Sequence, residues 1–268
     1  LWVEGVFEVF ATAIVAALFV RMGLLRVSVA TVSVLFATII FLSGGVLGTF
    51  HHLYWSGTPV AVLALGSVFS ALEAVPLMVV GFEAYSHART SRQMLWEQAY
   101  HWPFMFFAAV LFWNLLGAGV FGFLINPPIA LYYMQGLNTT ANHGHAALFG
   151  VYGMLGIGLM LVCLRALVPG VEWKDGLIKF AFWGMNGGLM LMCLLSLLPV
   201  GLMQTWASVD QGYWYARSSE FMQTPTMQTL RWLRVPGDTI FFLGAVALVI
   251  FVAGLKTGHS FKKTAPTR

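Results

Sequence analysis

The sequence predicts an all-α protein, a polytopic membrane helix bundle with seven transmembrane helices, and three observations support this prediction. Hydrophobic residues fill 59% of the 268 positions and charged residues only 9%, with a mean hydropathy of +0.81. The apolar residues gather in runs of about 20, the length that a helix needs to cross the hydrocarbon core of a bilayer. The basic residues are sorted by alternate connections between these runs, as the positive-inside rule requires. We therefore expect a single transmembrane domain, residues 1–268, without a soluble module.

Each apolar run ends at a charged, polar or proline-containing connection. The predicted spans are residues 1–20, 27–50, 59–85, 102–125, 141–164, 177–203 and 239–255. Pro127 ends the fourth span, because proline cannot continue a helix in its interior. The longest connection, residues 204–238, carries three tryptophans of the kind found at membrane interfaces, so we predict an irregular segment there or, in part, an interfacial helix.

The positions of the basic residues predict an orientation. Eleven of them fall on one side of the alternating spans: Arg21, Arg26, Arg89, Arg92, Arg165, Lys174, Lys179, Lys256, Lys262, Lys263 and Arg268. Only Arg217, Arg231 and Arg234 fall on the other. The positive-inside rule places the larger set in the cytoplasm, which gives an external amino end and a cytoplasmic carboxyl end. Since the net charge of +4 is explained by this sorting, we expect no nucleic-acid partner.

Four of the seven histidines lie in strongly apolar stretches, where imidazole is costly to bury unless it is bound. They form the two pairs His51-His52 and His143-Gly144-His145. In the predicted orientation both pairs lie in the outer layer of the membrane, as do Glu4 and Glu8 of the first span. Neutral imidazole is the commonest metal ligand among side chains. Groups at one depth on three spans therefore predict a shared metal or heme site.

Helical spacing separates the two pairs. Residues i and i+2 point roughly 200° apart on a helix, so His143 and His145 face opposite sides and are suited to two different metals. Two hemes flanking one helix fit this spacing. His51 and His52, about 100° apart, can converge on a single ion where a helix ends. Two imidazoles underfill a transition-metal site, so a further ligand must come from elsewhere.

Four sequence motifs resemble a known family. The segment GTFHHLYWSGTP at 48–59, followed by NHGH at 142–145, resembles the catalytic subunit of the heme-copper oxidase superfamily. The segment WVEGVFE at 2–8 is similar to bacterial nitric oxide reductases, whereas oxygen-reducing members usually carry a tyrosine at the position of Glu4. The segment NPPIALYY at 126–133 resembles the single-chain, quinol-dependent branch more than the cytochrome c-dependent one. The likeness runs along the whole chain, which corresponds to the C-terminal half of such a protein.

The resemblance implies two b-type hemes and one non-heme iron. His51 and His52 would bind the non-heme iron, with a carboxylate oxygen from Glu4 as a further ligand. A carboxylate adds hard oxygen character, which favours iron over copper. His143 would bind the high-spin heme that faces this iron, and His145 would be one axial ligand of the low-spin heme.

The resemblance also implies further acids and ligands from outside this chain. Glu73 would be an acid beside the metals, and Glu8 a neighbouring acid tied to proton delivery. The family's third imidazole for the non-heme iron is expected one residue before Leu1, and the second axial ligand of the low-spin heme on an earlier helix. We therefore expect an N-terminal part of the same protein to supply both.

The predicted function is the reduction of two nitric oxide molecules, with two electrons and two protons, to nitrous oxide and water. We expect the protein in the bacterial inner membrane, with quinol as the electron donor rather than cytochrome c. Arg231 and Arg234 are expected either to pair heme propionates or to be surface arginines. Three alternatives stay open: an oxygen-reducing terminal oxidase with copper, a diheme electron-transfer cytochrome, and a transporter whose histidines bind substrate or protons.

Overall fold

The chain is helical along nearly all of the residues that its computed structural model describes, 8–21, 25–72, 75, 78–79, 82–83, 86, 100–168 and 170–262. The helices are α1 (Glu8–Arg21), α2 (Val27–Gly44), α3 (Val60–Leu72), α4 (His101–Ile125), α5 (Pro128–Met134), α6 (Asn138–Leu167), α7 (Asp175–Gln211), α8 (Ser219–Met222), α9 (Pro225–Trp232) and α10 (Arg234–Thr257). Within these ranges the β pairing is limited to one bridge between Trp173 and Phe261. The all-α prediction is confirmed.

Five helical segments are long and apolar enough to cross a membrane: Val27–Gly44, His101–Ile125, Asn138–Leu167, Asp175–Gln211 and Pro225–Thr257. Two shorter apolar helices, Val9–Arg21 and Val60–Leu72, fall in the first and third predicted spans, whose other residues are partly outside the described ranges. Large apolar side chains are exposed on the outer faces of the helices, among them Val32, Ile39 and Val249. Apolar exposure on this scale suits lipid rather than water. The chain is a polytopic membrane bundle.

The connections follow the proline signal but depart from the prediction for residues 204–238. The fourth span ends at Ile125, and α5 begins at Pro128, as predicted. The irregular segment is wrong for most of its length, whereas the alternative of a helix in part of it agrees with the structure, because α7 continues to Gln211 and α8 and α9 follow. The side chain of Gln204 accepts a hydrogen bond from the backbone N–H of Asn138 and donates to Ala216 O. These tertiary bonds stabilise a helix in which the apolar pattern has already stopped.

Two π-helical turns bring α4 and α6 into close contact. Asn114–Phe121 forms the turn in α4, and His145–Gly153 forms the turn in α6. A Cβ added to Gly117 would lie 2.6 Å from the carbonyl carbon of Ala146, so the two backbones touch there. π turns inside α-helices are frequent at functional sites, because they displace the regular hydrogen-bond ladder. This contact places the first histidine of the NHGH motif against α4.

Glycines join α7 to α10. A Cβ on Gly184 would approach Gly244 Cα to 3.0 Å, and one on Gly188 would approach Phe241 N to 2.5 Å. Small residues spaced four apart let membrane helices approach closely and pack by van der Waals contact. The ring of Phe241 also meets Phe149 of α6 at a centroid distance of 4.5 Å. These contacts hold the start of α10, with its arginine, beside α6.

Candidate heme and metal site

The first histidine pair lies on the 3-10 turn Thr49–Leu53 that follows α2. The tight turn brings the two rings together, with centroids 3.9 Å apart and planes inclined by 37°. His51 is 5% exposed, and its Nδ1 is hydrogen-bonded to Gly48 O, whereas His52 is exposed. A Cβ on Gly66 would lie 2.8 Å from the backbone N of His51, so α3 packs directly against this turn. The pair is thus fixed by backbone contacts on both sides.

His143 is half-buried and lies against the π turn of α4. Its Nδ1 is 2.8 Å from Gly117 O. A Cβ on Gly122 would meet the imidazole Cε1 at 3.0 Å, so the absence of a side chain there leaves room for the ring. Two glycines of α4 therefore form a cradle for this imidazole.

His145 contacts a different set of groups. Its Nδ1 lies 2.8 Å from Ala141 O of its own helix, and its Nε2 lies 3.0 Å from an Nη atom of Arg234 on α10. Arg234 also pairs with Asp238, with Nε 3.0 Å from one carboxylate oxygen and 3.1 Å from the other. The imidazoles of His143 and His145 therefore reach different helices, as the two-residue spacing predicts. A cavity of 400 Å³ next to Arg234 is lined by polar side chains that include Arg231 and Asp238.

The hydrogen bonds decide the tautomers of three imidazoles. A carbonyl oxygen can only accept, so the Nδ1 atoms of His51, His143 and His145 must carry the proton. In neutral imidazole the lone pair is then on Nε2. Metal-binding histidines almost always donate their other ring N–H to a carbonyl, a carboxylate or water in this way. Imidazoles of this tautomer are suited to bind a heme or metal cofactor through Nε2, although on His145 this atom accepts a hydrogen bond from Arg234.

Comparison with known proteins agrees with this chemistry. Residues 1–240 match the family described as Cytochrome C and Quinol oxidase polypeptide I. The chain belongs to this family of heme-copper oxidase subunits. A nitric oxide reductase subunit of Stutzerimonas stutzeri is 29% identical over 251 residues, which cover 92% of this chain and 52% of that protein. The chain therefore spans about half the length of this relative. The predicted kinship with nitric oxide reductases among the heme-copper oxidases is confirmed, and membership implies heme and metal cofactors.

Three predicted acids of this heme-copper oxidase chain have no described side chain. Glu4 and Glu73 lie outside the described residues, and Glu8 is described only as the first residue of α1. Among the described residues, no group of three or more His, Cys, Asp or Glu side chains is placed to hold a metal ion. The predicted iron set of His51, His52 and Glu4 includes one member beyond that search, so it stays a prediction.

Sequence reasoning missed several residues around the site of this family member. Gly117 and Gly122 of α4 contact His143, although no sequence motif pointed to either glycine. A second group is polar and buried: Asn126 Nδ2 donates to Ser70 Oγ at 2.8 Å. Ser70 lies three residues before Glu73 in the sequence, and this spacing is the one signal that points to it.

Proposed function

We propose that this chain forms the C-terminal half of a membrane nitric oxide reductase. The reaction joins two nitric oxide molecules and consumes two electrons and two protons to give nitrous oxide and water. The observation that carries the proposal is that the Nδ1 atoms of His51 and His143 donate to carbonyl oxygens, which leaves the Nε2 lone pair as the metal-binding atom of each ring. On His145 the Nε2 lone pair accepts a hydrogen bond from Arg234, which an iron bound at that atom would replace. The relative from Stutzerimonas stutzeri, which is named as part of a nitric oxide reductase, supports the choice of reaction.

The proposed ligand roles follow from which helix each imidazole reaches. His143, against α4, would hold a high-spin b heme, and His145, toward α10, a low-spin b heme. His51 and His52, whose ring centroids are 3.9 Å apart, would hold the non-heme iron together with Glu4. When bound, these groups supply the redox chemistry, while the protein fixes position and electrostatics. The third imidazole for the iron and the second axial ligand of the low-spin heme would come from an N-terminal part of the same protein.

The reaction needs protons, and carboxyl groups can move them. Glu73 and Glu8 are proposed to accept and release protons near the metals. Asn126 and Ser70 form a buried hydrogen bond, and Ser70 lies three residues before Glu73 in the sequence. A polar contact inside an apolar bundle is costly to bury and is often functional, so this one suits a relay.

Arg231 and Arg234 are proposed to bind heme propionates. Both line the cavity of 400 Å³, Arg234 also contacts His145, and guanidinium groups pair carboxylates through two parallel hydrogen bonds. Asp238 balances part of the charge of Arg234 and holds its side chain in place.

An apolar cavity of 540 Å³ is suited to the substrate. Its walls include apolar side chains of α3 and α4, such as Val68, Leu72 and Phe123, together with Pro127. Nitric oxide is small, neutral and soluble in lipid, so an apolar cavity facing the bilayer favours its entry over that of charged molecules. Quinol is the proposed electron donor, and the bacterial inner membrane, with the carboxyl end in the cytoplasm, is the proposed location.

The test uses the full protein purified from membranes. We expect two b hemes and one non-heme iron per protein, negligible copper, and nitrous oxide produced from nitric oxide and quinol. Stoichiometric copper with oxygen uptake would instead support the terminal oxidase. Absence of any heme absorption band would support the transporter.

Variants separate the remaining alternative. His51→Ala should lose the non-heme iron and turnover while both heme bands persist, whereas His259→Ala, at an exposed position after α10, should keep all three. A diheme electron-transfer cytochrome would keep its electron-transfer rate in both variants and in Glu4→Ala.

A further inference from the structure

Trp55, three residues after His52, has an unusual backbone. Its φ is +66°, and it is the one non-glycine residue with positive φ in the part of the chain that the structure describes. A bulky residue in the left-handed region is a true outlier. Strain of this kind persists only where the surroundings fix it, and it is concentrated at functional sites.

Aromatic rings from two other parts of the chain fix Trp55. Its indole lies 4.7 Å from Tyr132 of α5, at 35°, and 4.7 Å from Tyr213 after α7, stacked at 17°. Tyr213 is itself held, because its hydroxyl donates to Gln135 O at 2.5 Å and accepts from an Nη atom of Arg217 at 2.7 Å. The indole, 42% exposed, therefore packs against two rings from other parts of the chain, and one of them, Tyr213, is fixed by its own hydrogen bonds.

The neighbouring residues fasten the same turn. The hydroxyl of Tyr54 lies 3.2 Å from Pro128 O and 3.0 Å from Ser67 Oγ of α3. The backbone N–H of Ser56 closes the turn onto Leu53 O at 3.2 Å. The chain that leaves the histidine pair is thus tied to α3, to α5 and to the connection after α7. A tryptophan that served only as a membrane-interface anchor would need neither the left-handed backbone nor stacked rings.

We propose that Trp55 is a positioning residue that sets the direction of the His51 and His52 imidazoles for the metal. Ligand distances in metal sites tolerate about 0.2 Å, so the turn that ends the pair must be held in one conformation. The positive φ of Trp55 changes the direction of the chain, and the contacts of its indole with Tyr132 and Tyr213 hold that conformation. The inference rests on the proposed function, because it takes this pair as the ligands of the non-heme iron.

The experiment measures iron affinity in the full protein by chelator competition, next to heme content and thermal stability. We expect Trp55→Ala to bind non-heme iron at least about tenfold more weakly, as loss of a supporting contact commonly does. Trp55→Phe should keep most of the affinity, because an aromatic ring can still pack against Tyr132 and Tyr213. Trp55→Gly relieves the backbone strain, so it should be more stable than Trp55→Ala yet bind iron as weakly.

The matched control is Trp206→Ala, which removes an indole that is 76% exposed on α7 and should leave iron affinity unchanged. Wild-type iron affinity in Trp55→Ala would overturn the proposal, as would affinities that follow thermal stability across the series. If Trp55→Ala does not assemble, Tyr132→Ala removes one stacking partner from a separate helix and must lower iron affinity, or the proposal fails. A wild-type protein without non-heme iron would instead refute the proposed function.

Discussion

The substitution Gly122→Ala tests whether the cradle on α4 sets the position of the His143 imidazole. The added Cβ would lie 3.0 Å from Cε1 and 3.4 Å from Nδ1 of that ring. To regain ordinary contact at 3.4 Å, the ring must recede by about 0.4 Å. The ring is also held by its hydrogen bond to Gly117 O at 2.8 Å, so it cannot move without straining that bond.

A displacement of about 0.4 Å exceeds the roughly 0.2 Å that ligand distances in metal sites tolerate. Inserting one methyl group into a packed site costs about 1 kcal/mol or more, which is about a fivefold weakening of binding. We therefore expect the Gly122→Ala protein to bind the proposed high-spin heme at least about fivefold more weakly. The low-spin heme proposed at His145 should be retained, because that imidazole faces α10 instead.

The assay is the optical spectrum of the reduced full protein with and without carbon monoxide, which binds the high-spin heme. Gly156→Ala is the matched control: it lies on α6, in the same helix as His143, and its Cβ would meet nothing within 4 Å. A Gly122→Ala protein with full high-spin heme and an unchanged carbon monoxide difference spectrum would refute the cradle. Equal loss in the control would show a general effect of added methyl groups.

Three further predictions concern the rest of the bundle. Gly188→Ala places a methyl group 2.5 Å from a backbone nitrogen of α10 and should lower the thermal stability of the purified protein, whereas Gly187→Ala, with nothing within 4 Å, should be neutral. Trp113→Phe removes an indole N–H that donates to an amide oxygen at 2.8 Å, and should destabilise the protein by about 1 kcal/mol in reversible unfolding. The hydrogen bond from Lys262 to Glu172, together with the charge of that carboxylate, raises the pKa of the ammonium above 10.5. The resulting stabilisation is present below pH 10.5 and disappears as the pH rises through the raised pKa, so proteolysis near Lys262 should accelerate there. Lys262→Gln should abolish that acceleration. A proteolysis rate that does not depend on pH in the parent protein would contradict the prediction.

Local patterns were sufficient for the main features of the fold. Apolar runs of membrane length predict helices because the bilayer offers no other partner for backbone N–H and C=O groups. Pro127 predicts the break after α4, since its ring cannot continue a helix. The same logic failed for residues 204–238, where Gln204 forms hydrogen bonds to segments distant in sequence. A hydropathy pattern shows that Gln204 is polar, but it does not show the distant backbone groups with which its side chain forms hydrogen bonds.

The sequence by itself determined that this is an all-α membrane bundle, that its imidazoles come in pairs, and that His143 and His145 diverge, because helical geometry relates neighbours along one chain. Only the tertiary structure decided which groups these imidazoles meet: Gly117 on α4 for one, and Arg234 on α10 for the other. It also placed Trp55 between two tyrosines. Pairing between helices in lipid depends on close packing of small residues. The hydrophobic periodicity of a single helix does not show which helix it packs against.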